Sequence, residues 1–300
     1  MINIIGMLPS ILMIVAPIMI AAIGGMFSER SGVTNIGLEG LMGFGAWAAA
    51  TTHVLLEGRI AGSVWIGLLM AVAIGMLVSL VHAYASISLN ADQTVSGTGI
   101  NLLATGATVF LDQIIFKQDR TEPFKMGMMP GPGGIYPTAY IALALLFITW
   151  FVLYKRPIGL RIRACGEHPA AAASAGVDVR KLRYLAVLVS GALAGLAGGC
   201  IVLTETIQYT NMTINGSGFI ALAAVSFGRW TPKGVSGASL LFGTAMALSI
   251  YMVNIEGLRF LPPEFFNILP YIITLVTLII FSGKDYTPRA DGLPYEKGGS

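Results

Sequence analysis

A series of long apolar runs occupies most of this 300-residue sequence and constrains its fold more than any other feature. A helix needs about 20 mostly apolar residues to cross a hydrocarbon core of about 30 Å. The sequence therefore predicts an all-α fold, a polytopic transmembrane helical bundle of about nine helices, with 38–56 and 218–230 the runs that fit least well. The runs lie at 8–26, 38–56, 62–87, 96–116, 138–154, 184–204, 218–230, 235–253 and 266–282.

The composition leaves little room for a soluble domain. Apolar residues make up 55% of the chain and charged residues 11%, well below the roughly 25% charge of soluble domains. Of the 37 glycines, 19 fall within the apolar runs, and glycine inside apolar helices is typical of helices that pack backbone to backbone in lipid. We expect one transmembrane domain over 1–284 and a short, disordered cytoplasmic tail over 285–300. Two cysteines without paired spacing predict neither a disulfide nor a metal site.

The distribution of basic residues predicts the orientation. Segment 155–183 carries seven Lys and Arg residues against two acidic ones, so the positive-inside rule assigns it to the cytoplasm. Counting spans from this segment also puts the C-terminus in the cytoplasm, and the turn-rich loop 117–136 and loop 254–265 outside. The N-terminus then lies outside, unless 27–37 is a re-entrant segment.

Two glycine-rich passages, 31–45 and 228–243, place polar residues and helix breakers directly before an apolar helix. Broken helices at corresponding places in two halves of a transporter indicate a solute path, because unwound backbone inside a membrane is tolerated only where it lines a cavity or is buried in protein. The alternative is a glycine-rich packing face after an ordinary loop. The sequence leaves both interpretations open, so the bundle is expected to contain one or two broken or re-entrant segments.

Few polar side chains lie within the predicted spans, and they are the candidates for a solute path. Glu39 should face protein or water, since a carboxylate in lipid is costly; its alternative is a structural contact with Asn35 or a nearby amide. Thr98, Asn101 and Thr105 fall at helical spacing. Neutral donors and acceptors on one face suit an uncharged polar solute such as a sugar or nucleoside, although they also suit helix packing.

Aromatic and remaining polar residues give weaker signals. Phe110, Phe219 and Trp230 could stack on a planar ring, but aromatic residues near helix ends are usually interfacial anchors. Asp112 is expected in water at a helix end, together with Glu205. His82 is expected to be hydrogen-bonded within the core. The candidate path residues are therefore Asn35, Glu39, Thr98, Asn101, Thr105 and Phe219.

No catalytic site is expected. Ser236 lies in a Gly-x-Ser-Gly pattern, but no histidine follows His168 to act as its base. The chain has no phosphate-binding loop and binds no cofactor by this reading, so ATP-driven transport would need a partner that binds ATP. An ion-coupled carrier usually has several ionisable residues at mid-membrane, and only Glu39 qualifies.

The basic segment contains a short helix candidate at 167–176, with proline at its start and glycine at its end. Such a helix of small residues can dock in a groove on a partner. The alternative is an amphipathic connector lying on the anionic inner leaflet. A bulky or charged residue at Gly166 or Ala172 is the predicted way to block docking. The residues assigned to this coupling loop are Gly166, Glu167, His168, Pro169, Ala170, Ala171, Ala172 and Gly176.

These motifs together resemble a known family. GLRIRACGEHPAAA (159–172), GVDVRKLR (176–183) and SGALAGLAG (190–198) are similar to the inner loop and following helix of bacterial ABC importer permeases of the ribose and branched-chain amino acid type. SERSGVTNIGLEGLM (28–42) and AVSFGRWTPKG (224–234) resemble the branch that takes up nucleosides. The likeness runs from about Ile20 to Ser282. Cys165 and His168 depart from it, since valine and asparagine are expected there.

The resemblance implies a translocation subunit of the bacterial cytoplasmic membrane, not an enzyme. It implies three partners: a second, non-identical permease, a cytoplasmic ATPase with two fused nucleotide-binding halves, and an external substrate-binding lipoprotein. The segment Glu167–Gly176 matches the coupling helix of the family, which docks in the ATPase. The resulting hypothesis is nucleoside import driven by ATP, with no role in nucleic-acid binding. A simple-sugar importer for ribose or galactose is the alternative, and an ion-coupled carrier is a third.

Overall fold

The computed structural model describes residues 4–253, 262, 265–266, 268–281 and 286–295. Within these ranges the chain is helical and contains no strand. A π-helical turn, Tyr84–Ser88, extends α3, and Pro132–Gly134 forms a short 3-10 turn. In chain order the helices are α1 (Ile4–Arg30), α2 (Leu38–Leu56), α3 (Ser63–Ala83), α4 (Gln93–Ile115), α5 (Pro137–Lys155), α6 (Pro157–Glu167), α7 (Pro169–Ser174), α8 (Val179–Thr204), α9 (Ser217–Phe227), α10 (Pro232–Met252) and α11 (Leu269–Phe281).

The predicted polytopic helical fold is confirmed. Each of the nine apolar runs corresponds to a helix, and α6 and α7 occupy the basic segment between α5 and α8. Among the described residues, six helices are long and apolar enough to cross a membrane, namely α1, α3, α4, α5, α8 and α10. Helix α2 is less apolar than these six helices, because it is rich in glycine, alanine and threonine. It packs against α3, α4, α8 and α9, so its neighbours shield it from lipid.

The centre of the bundle is the packing of α2 and α3 against α8, which depends on glycine. A Cβ on Gly45 would collide with the backbone of Gly195, and a Cβ on Gly75 would collide with the carbonyl of Gly191. Because these residues lack side chains, the helix backbones approach closely enough for van der Waals contact along their length. This explains the glycines within the apolar runs that form α2, α3 and α8.

The basic end of the bundle is defined here as the end that carries α6 and α7. The C-terminus of α1 lies there, since Arg30 Nη1 is 3.6 Å from Glu167 Oε1. The Arg30 Nε also donates a hydrogen bond of 2.8 Å to the carbonyl of Trp230. Residues 228–230 therefore lie at the same end.

The far end, opposite to the basic end, is covered by the loop 117–136. The backbone N–H of Met128 donates to the Leu203 carbonyl at 2.7 Å, and that of Phe124 donates to the Ile207 carbonyl at 2.9 Å. Glu57, just beyond α2, accepts backbone hydrogen bonds from Lys125 and Met126. The prediction that this turn-rich loop caps one end of the bundle agrees with these contacts. Most of the loop predicted at 254–265 lies outside the described residues.

Residues 31–37, named here the broken segment, leave α1 at the basic end and turn back into the bundle. Asn35 reaches Ser190, which lies 11 residues into α8, or about 16 Å along that helix. Helix α2 therefore starts inside the bundle rather than at its surface. The broken segment is nevertheless a full connection rather than a re-entrant segment, because α2 continues to the far end, where Glu57 contacts the loop 117–136.

Of the two interpretations left open for the glycine-rich passage 228–243, an ordinary loop before a continuous helix agrees with the structure. The glycine-rich passage 228–243 is not a broken helix: Gly228–Thr231 is a tight turn, and α10 runs without interruption from Pro232. The irregular stretch is instead 205–216, which leads from α8 to the short helix α9. With 11 residues, α9 is about 16 Å long, roughly half a membrane crossing. The glycines of 228–234 serve a close turn, since a Cβ on Gly234 would collide with the Gly228 carbonyl.

Candidate functional site

The turn from α1 into the broken segment is held by hydrogen bonds from its serine side chains to its own backbone. The Ser28 hydroxyl donates to the Val33 carbonyl at 2.6 Å, and the Ser31 hydroxyl donates to the Ser28 carbonyl at 2.7 Å. Gly32 has φ +89°, a left-handed conformation that glycine adopts without steric cost. From the neighbouring helix, Arg183 Nε donates to the Ser31 carbonyl at 3.2 Å. The reversal of the chain is thus specified by residues 28–33 themselves.

Asn35 is completely buried at the level of Ser190. Its Nδ2 donates to the Ser190 hydroxyl oxygen at 2.9 Å. Its Oδ1 has no hydrogen-bond partner within the described part of the chain. A buried acceptor without a donor is costly, and here it lies beside unwound backbone. Asn35 therefore differs from the other path candidates, whose polar atoms are bonded to protein.

Asn101 of α4 is fully engaged with the backbone of the broken segment. Its Oδ1 accepts from the Gly40 N–H at 2.8 Å, and its Nδ2 donates to the Ile36 carbonyl at 3.1 Å. Backbone groups at the start of a helix lack helical partners, and inside a membrane another part of the protein must supply them. Asn101 does so for α2, which makes it a residue that stabilises the break rather than a free donor for solute.

Glu39 joins the two irregular segments. Its Oε1 accepts from the Gly216 N–H and its Oε2 from the Gly218 N–H, both at 2.7 Å. These amides begin α9, and an anion is favoured at the N-terminus of a helix by the helix dipole and the unpaired N–H groups. The structural alternative that the sequence analysis raised for Glu39, a contact with a neighbouring amide, describes this geometry.

Thr98, Thr105 and Phe219 are exposed on either side of the start of α2. Gly40 packs against Ile100 and Asn101 of α4, whereas Gly218 packs against Glu39. The side chains of Thr98, Leu102 and Thr105 on α4, with Phe219 on α9, are named here the α4–α9 surface; Leu102 is 77% and Phe219 49% exposed. The two threonine hydroxyls donate to carbonyls of their own helix. The surface is therefore uncharged and only weakly polar.

The predicted coupling residues at α7 fall into two sets, one exposed at the surface and one facing inward. Glu167, His168, Ala170, Ala171 and Gly176 are exposed, and Pro169 is half-buried. Gly166 and Ala172 face inward. A Cβ on Gly166 would collide with the Arg30 carbonyl, and Ala172 packs with Cys165 and Val179. A bulky residue at Gly166 or Ala172 would therefore disturb packing, and the surface free to dock is formed by Ala170 and Ala171.

His168 and Gly176 set the limits of α7. His168 Nδ1 accepts from the Ala171 N–H at 3.3 Å and so caps the N-terminus of the helix. Gly176 has φ +81° and ends the turn. An asparagine, expected from the family resemblance at position 168, is among the strongest N-cap residues. The departure at His168 thus keeps the capping function.

The tail segment 286–295 packs against the basic end, so the prediction of a disordered tail is wrong for these residues. The Ala290 N–H donates to the Gly166 carbonyl at 2.8 Å. Thr34 Oγ1 donates to Asp291 Oδ1 at 3.1 Å, and Arg183 Nη1 donates to the Leu293 carbonyl at 2.9 Å. The tail therefore bridges the coupling loop and the broken segment. Residues 284–285 and 296–300 lie outside the described residues.

Burial also raises the pKa of Asp291, to about 6, although the hydrogen bonds from Thr34 and the Gly292 backbone and the charge of Arg183 act in the opposite direction. At the far end, by contrast, the pKa of Glu57 lies below its ordinary value. Burial favours its neutral form, but the hydrogen bonds from Lys125 and Met126 outweigh it and lower the pKa of Glu57. Of these two carboxyl groups, that of Asp291 can change protonation near pH 6.

Three other sequence expectations can be compared with the structure. His82 is hydrogen-bonded within the core, to the Ser96 hydroxyl at 2.9 Å and the Thr34 carbonyl at 3.1 Å, as predicted. Asp112 is not in water: it is fully buried and accepts from Trp47 Nε1 at 2.9 Å. Trp230 is buried, and its indole N–H donates to Glu29, so it is not available for stacking. Phe110 remains exposed.

The sequence analysis missed Ser190 and the glycine amides at 216 and 218. Ser190 lies in a run of small residues in α8, where serine is usually a packing residue. The Gly216 and Gly218 amides are backbone groups, for which only the glycine-rich turn Asn215–Gly218 could have been a signal. Tyr209, whose hydroxyl donates to Thr108 at 3.0 Å, fixes the irregular stretch before α9 and was also missed.

Comparison with known proteins gives a consistent result along nearly the whole chain. A family model described as "Branched-chain amino acid transport system / permease component" matches residues 7–278. The chain is 45% identical to the guanosine ABC transporter permease protein NupQ of Bacillus subtilis, over 97% of this chain and 96% of that protein. It is 36% identical to the nucleoside ABC transporter permease protein NupC of Lactococcus lactis, over 94% and 93%.

A second permease of the same Bacillus is more distant. The guanosine ABC transporter permease protein NupP is 27% identical over 92% of this chain and 80% of its own length. Two guanosine ABC transporter permease proteins of one organism thus differ in their similarity to this chain.

Proposed function

Because the chain belongs to the family of permease components of branched-chain amino acid transport systems, we propose that it is the membrane-spanning subunit of an ATP-driven importer of nucleosides. The proposal that the solute is a nucleoside rests on the 45% identity to NupQ over nearly the full length of both proteins. The uncharged α4–α9 surface is compatible with it, since a nucleoside offers a planar apolar base and neutral hydroxyl groups. Phe219 is the exposed ring on which a base would stack.

The path we propose runs along the α4–α9 surface past the start of α2. Its polar lining would consist of Thr98 and Thr105, and the unpaired carbonyl oxygen of the buried Asn35 would reach the path only when the broken segment moves. Glu39 and Asn101 would act indirectly, since they hold α9 and the broken segment in place. Movement of either irregular segment would change the width of the path without unfolding a full helix.

The orientation follows from charge. The basic end carries α6 and α7 and so belongs in the cytoplasm by the positive-inside rule. The packed tail lies at the same end, which supports a cytoplasmic C-terminus. The far end, with loop 117–136, would face the outside of a bacterial cytoplasmic membrane and receive the solute from a lipid-anchored binding protein.

The partners we propose occupy two surfaces. A cytoplasmic ATPase with two fused nucleotide-binding halves would bind and hydrolyse ATP and would contact α7 through Ala170 and Ala171. A second permease would face the α4–α9 surface and complete the path. The difference in similarity to NupQ and NupP supports a second permease that is not identical to this chain.

The test is uptake by proteoliposomes that contain this chain with its second permease and ATPase, and that receive the purified binding protein outside. We expect uptake of labelled guanosine or uridine only with ATP inside, and no uptake with a non-hydrolysable ATP analogue. Unlabelled nucleosides should compete, and ribose and galactose should not. Uptake driven by a proton gradient without ATP would contradict the proposal. If only ribose competed, the chain would still be part of an importer, but its solute would be a simple sugar.

A further inference from the structure

Helices α5 and α10 form a groove at the perimeter of the bundle that is separate from the α4–α9 surface. Both helices pack against α1, whereas α4 packs against α2 and α3. The groove holds a cavity of about 230 Å³. Its walls, named here the α5–α10 groove, are Leu143, Leu146, Phe147, Trp150, Pro232, Lys233 and Ser236.

The interior of the groove is apolar. Leu143 and Phe147 are 59% and 64% exposed, so the α5 wall opens to the surroundings of the protein. From Leu143 to Trp150 the wall extends about 10 Å along α5. Because α5 is one of the helices apolar enough to cross a membrane, this opening faces hydrocarbon chains. An apolar slot of this length at the perimeter accommodates part of an acyl chain.

The mouth of the groove is cationic and lies at the basic end. Lys233 lines it directly, and the ammonium group of Lys155 lies 5.6 Å from the centre of the Trp150 ring. Both lysines are exposed, and neither forms an ion pair with a carboxylate in the part of the chain that the structure describes. Lys233 is in the first turn of α10, so the positive end of that helix dipole adds to the charge of the two lysines.

We propose that the α5–α10 groove binds an anionic phospholipid, with its phosphate between Lys155 and Lys233 and part of one acyl chain against Phe147 and Leu143. The combination of unpaired cations, an interfacial tryptophan and an apolar slot directly below them matches the chemistry of such a lipid. A zwitterionic lipid offers the same chain but no net charge. A free phosphate offers the charge but has nothing to fill the slot.

The experiment is native mass spectrometry of the purified full chain in detergent with equal amounts of phosphatidylglycerol and phosphatidylcholine. Each lysine near an anionic headgroup is worth about fivefold in affinity. We therefore expect at least about fivefold preferential retention of phosphatidylglycerol, and loss of this preference in Lys155→Gln/Lys233→Gln. Arg161→Gln/Arg180→Gln removes the same charge from exposed positions outside the groove and should keep the preference.

A second variant tests the slot without changing the charge. Ser236→Trp fills the groove from the α10 side and should lower retention of both lipids at least threefold. Inorganic phosphate at matching concentration should not raise the melting temperature, whereas phosphatidylglycerol should. Equal retention of the two lipids by the unmodified chain would overturn the proposal. So would an equal loss in the control pair, unchanged retention in Ser236→Trp, or stabilisation by phosphate alone.

Discussion

The carboxylate of Glu39 accepts a hydrogen bond of 2.7 Å from the backbone N–H of Gly218, although 179 residues separate them in the sequence. Glu39 is in the first turn of α2, and Gly218 is in the first turn of α9. Two helix N-termini therefore meet at one negative charge inside the bundle. Each has unpaired N–H groups and a partial positive charge, so the carboxylate offsets both.

Glu39→Gln is expected to destabilise the chain. A glutamine side chain has one acceptor oxygen, so one of the two glycine amides loses its partner, and an unsatisfied buried donor costs about 1–3 kcal/mol. The melting temperature of the purified chain should fall, and ATP-driven uptake should fall with it at every pH tested. The matched control is Glu122→Gln in the exposed loop at the far end.

This variant also separates a structural from an ion-coupling role. A carrier that used Glu39 for proton coupling would retain its melting temperature in Glu39→Gln and would lose only the pH dependence of uptake. That result would contradict the structural role assigned to Glu39.

Ala171→Trp and Ala172→Trp should have different effects although the residues are adjacent. Ala171 is exposed on α7, so a tryptophan there should leave the melting temperature unchanged and abolish stimulation of the ATPase by the permease. Ala172 is buried against Cys165 and Val179, and overpacking there costs about 1–3 kcal/mol. Ala172→Trp should therefore lower the melting temperature. Normal ATPase stimulation in Ala171→Trp would show that α7 is not the docking surface.

Docking of the tail should weaken as pH rises. Burial raises the pKa of Asp291 to about 6, above the value of about 3.9 in an unfolded chain. Between these values the docked tail binds a proton that the undocked tail releases, so stabilisation by the proton is present below about pH 4 and is lost as pH rises through 6. Amide exchange of residues 286–295, corrected for intrinsic rates, should be faster at pH 7 than at pH 5.

Asp291→Asn should remove this pH dependence, because the amide does not titrate. Asp119→Asn, at an exposed position of the far end, should leave it intact. If exchange of the tail in the unmodified chain did not differ between pH 5 and pH 7, protonation of Asp291 would not control docking.

Gly106→Ala and Gly195→Ala should change stability in opposite directions. Both glycines lie within helices, where alanine is favoured by about 1 kcal/mol. A Cβ on Gly106 meets open space, so the isolated Gly106→Ala chain should melt at a higher temperature. A Cβ on Gly195 collides with the Ala71 carbonyl, so this variant should melt at a lower temperature. Equal effects would mean that the α3–α8 packing does not require glycine.

The sequence was sufficient to predict the helical bundle, because apolar length is a local property. It also indicated the break at 31–37, since Gly32 and the polar residues beside it are local signals. For 228–243 a broken helix and an ordinary loop both stayed open, and the break before α9 was not predicted. Glycine for a tight turn and glycine for an unwound helix give the same sequence pattern, and only the packing of Gly234 against Gly228 distinguishes them.

The roles of single residues were harder to predict, because hydrogen-bond partners lie far apart in the chain. The spacing of Thr98, Asn101 and Thr105 correctly indicated one region of α4. It could not show that Asn101 turns toward Ile36 and Gly40 while the two threonines remain exposed. Likewise, polar composition predicted a disordered tail, whereas specific bonds to Gly166, Thr34 and Arg183 hold 290–293 in place.

The contact between Ala290 and Gly166 has a consequence for biosynthesis. Residues 290–293 follow all the described helices, so the ribosome makes them only after every membrane span has been translated. The coupling loop, made much earlier, cannot acquire its final bonds until then. The bonds of the tail to Gly166, Thr34 and Arg183 are therefore the last of the described contacts at the basic end that a newly made chain can form.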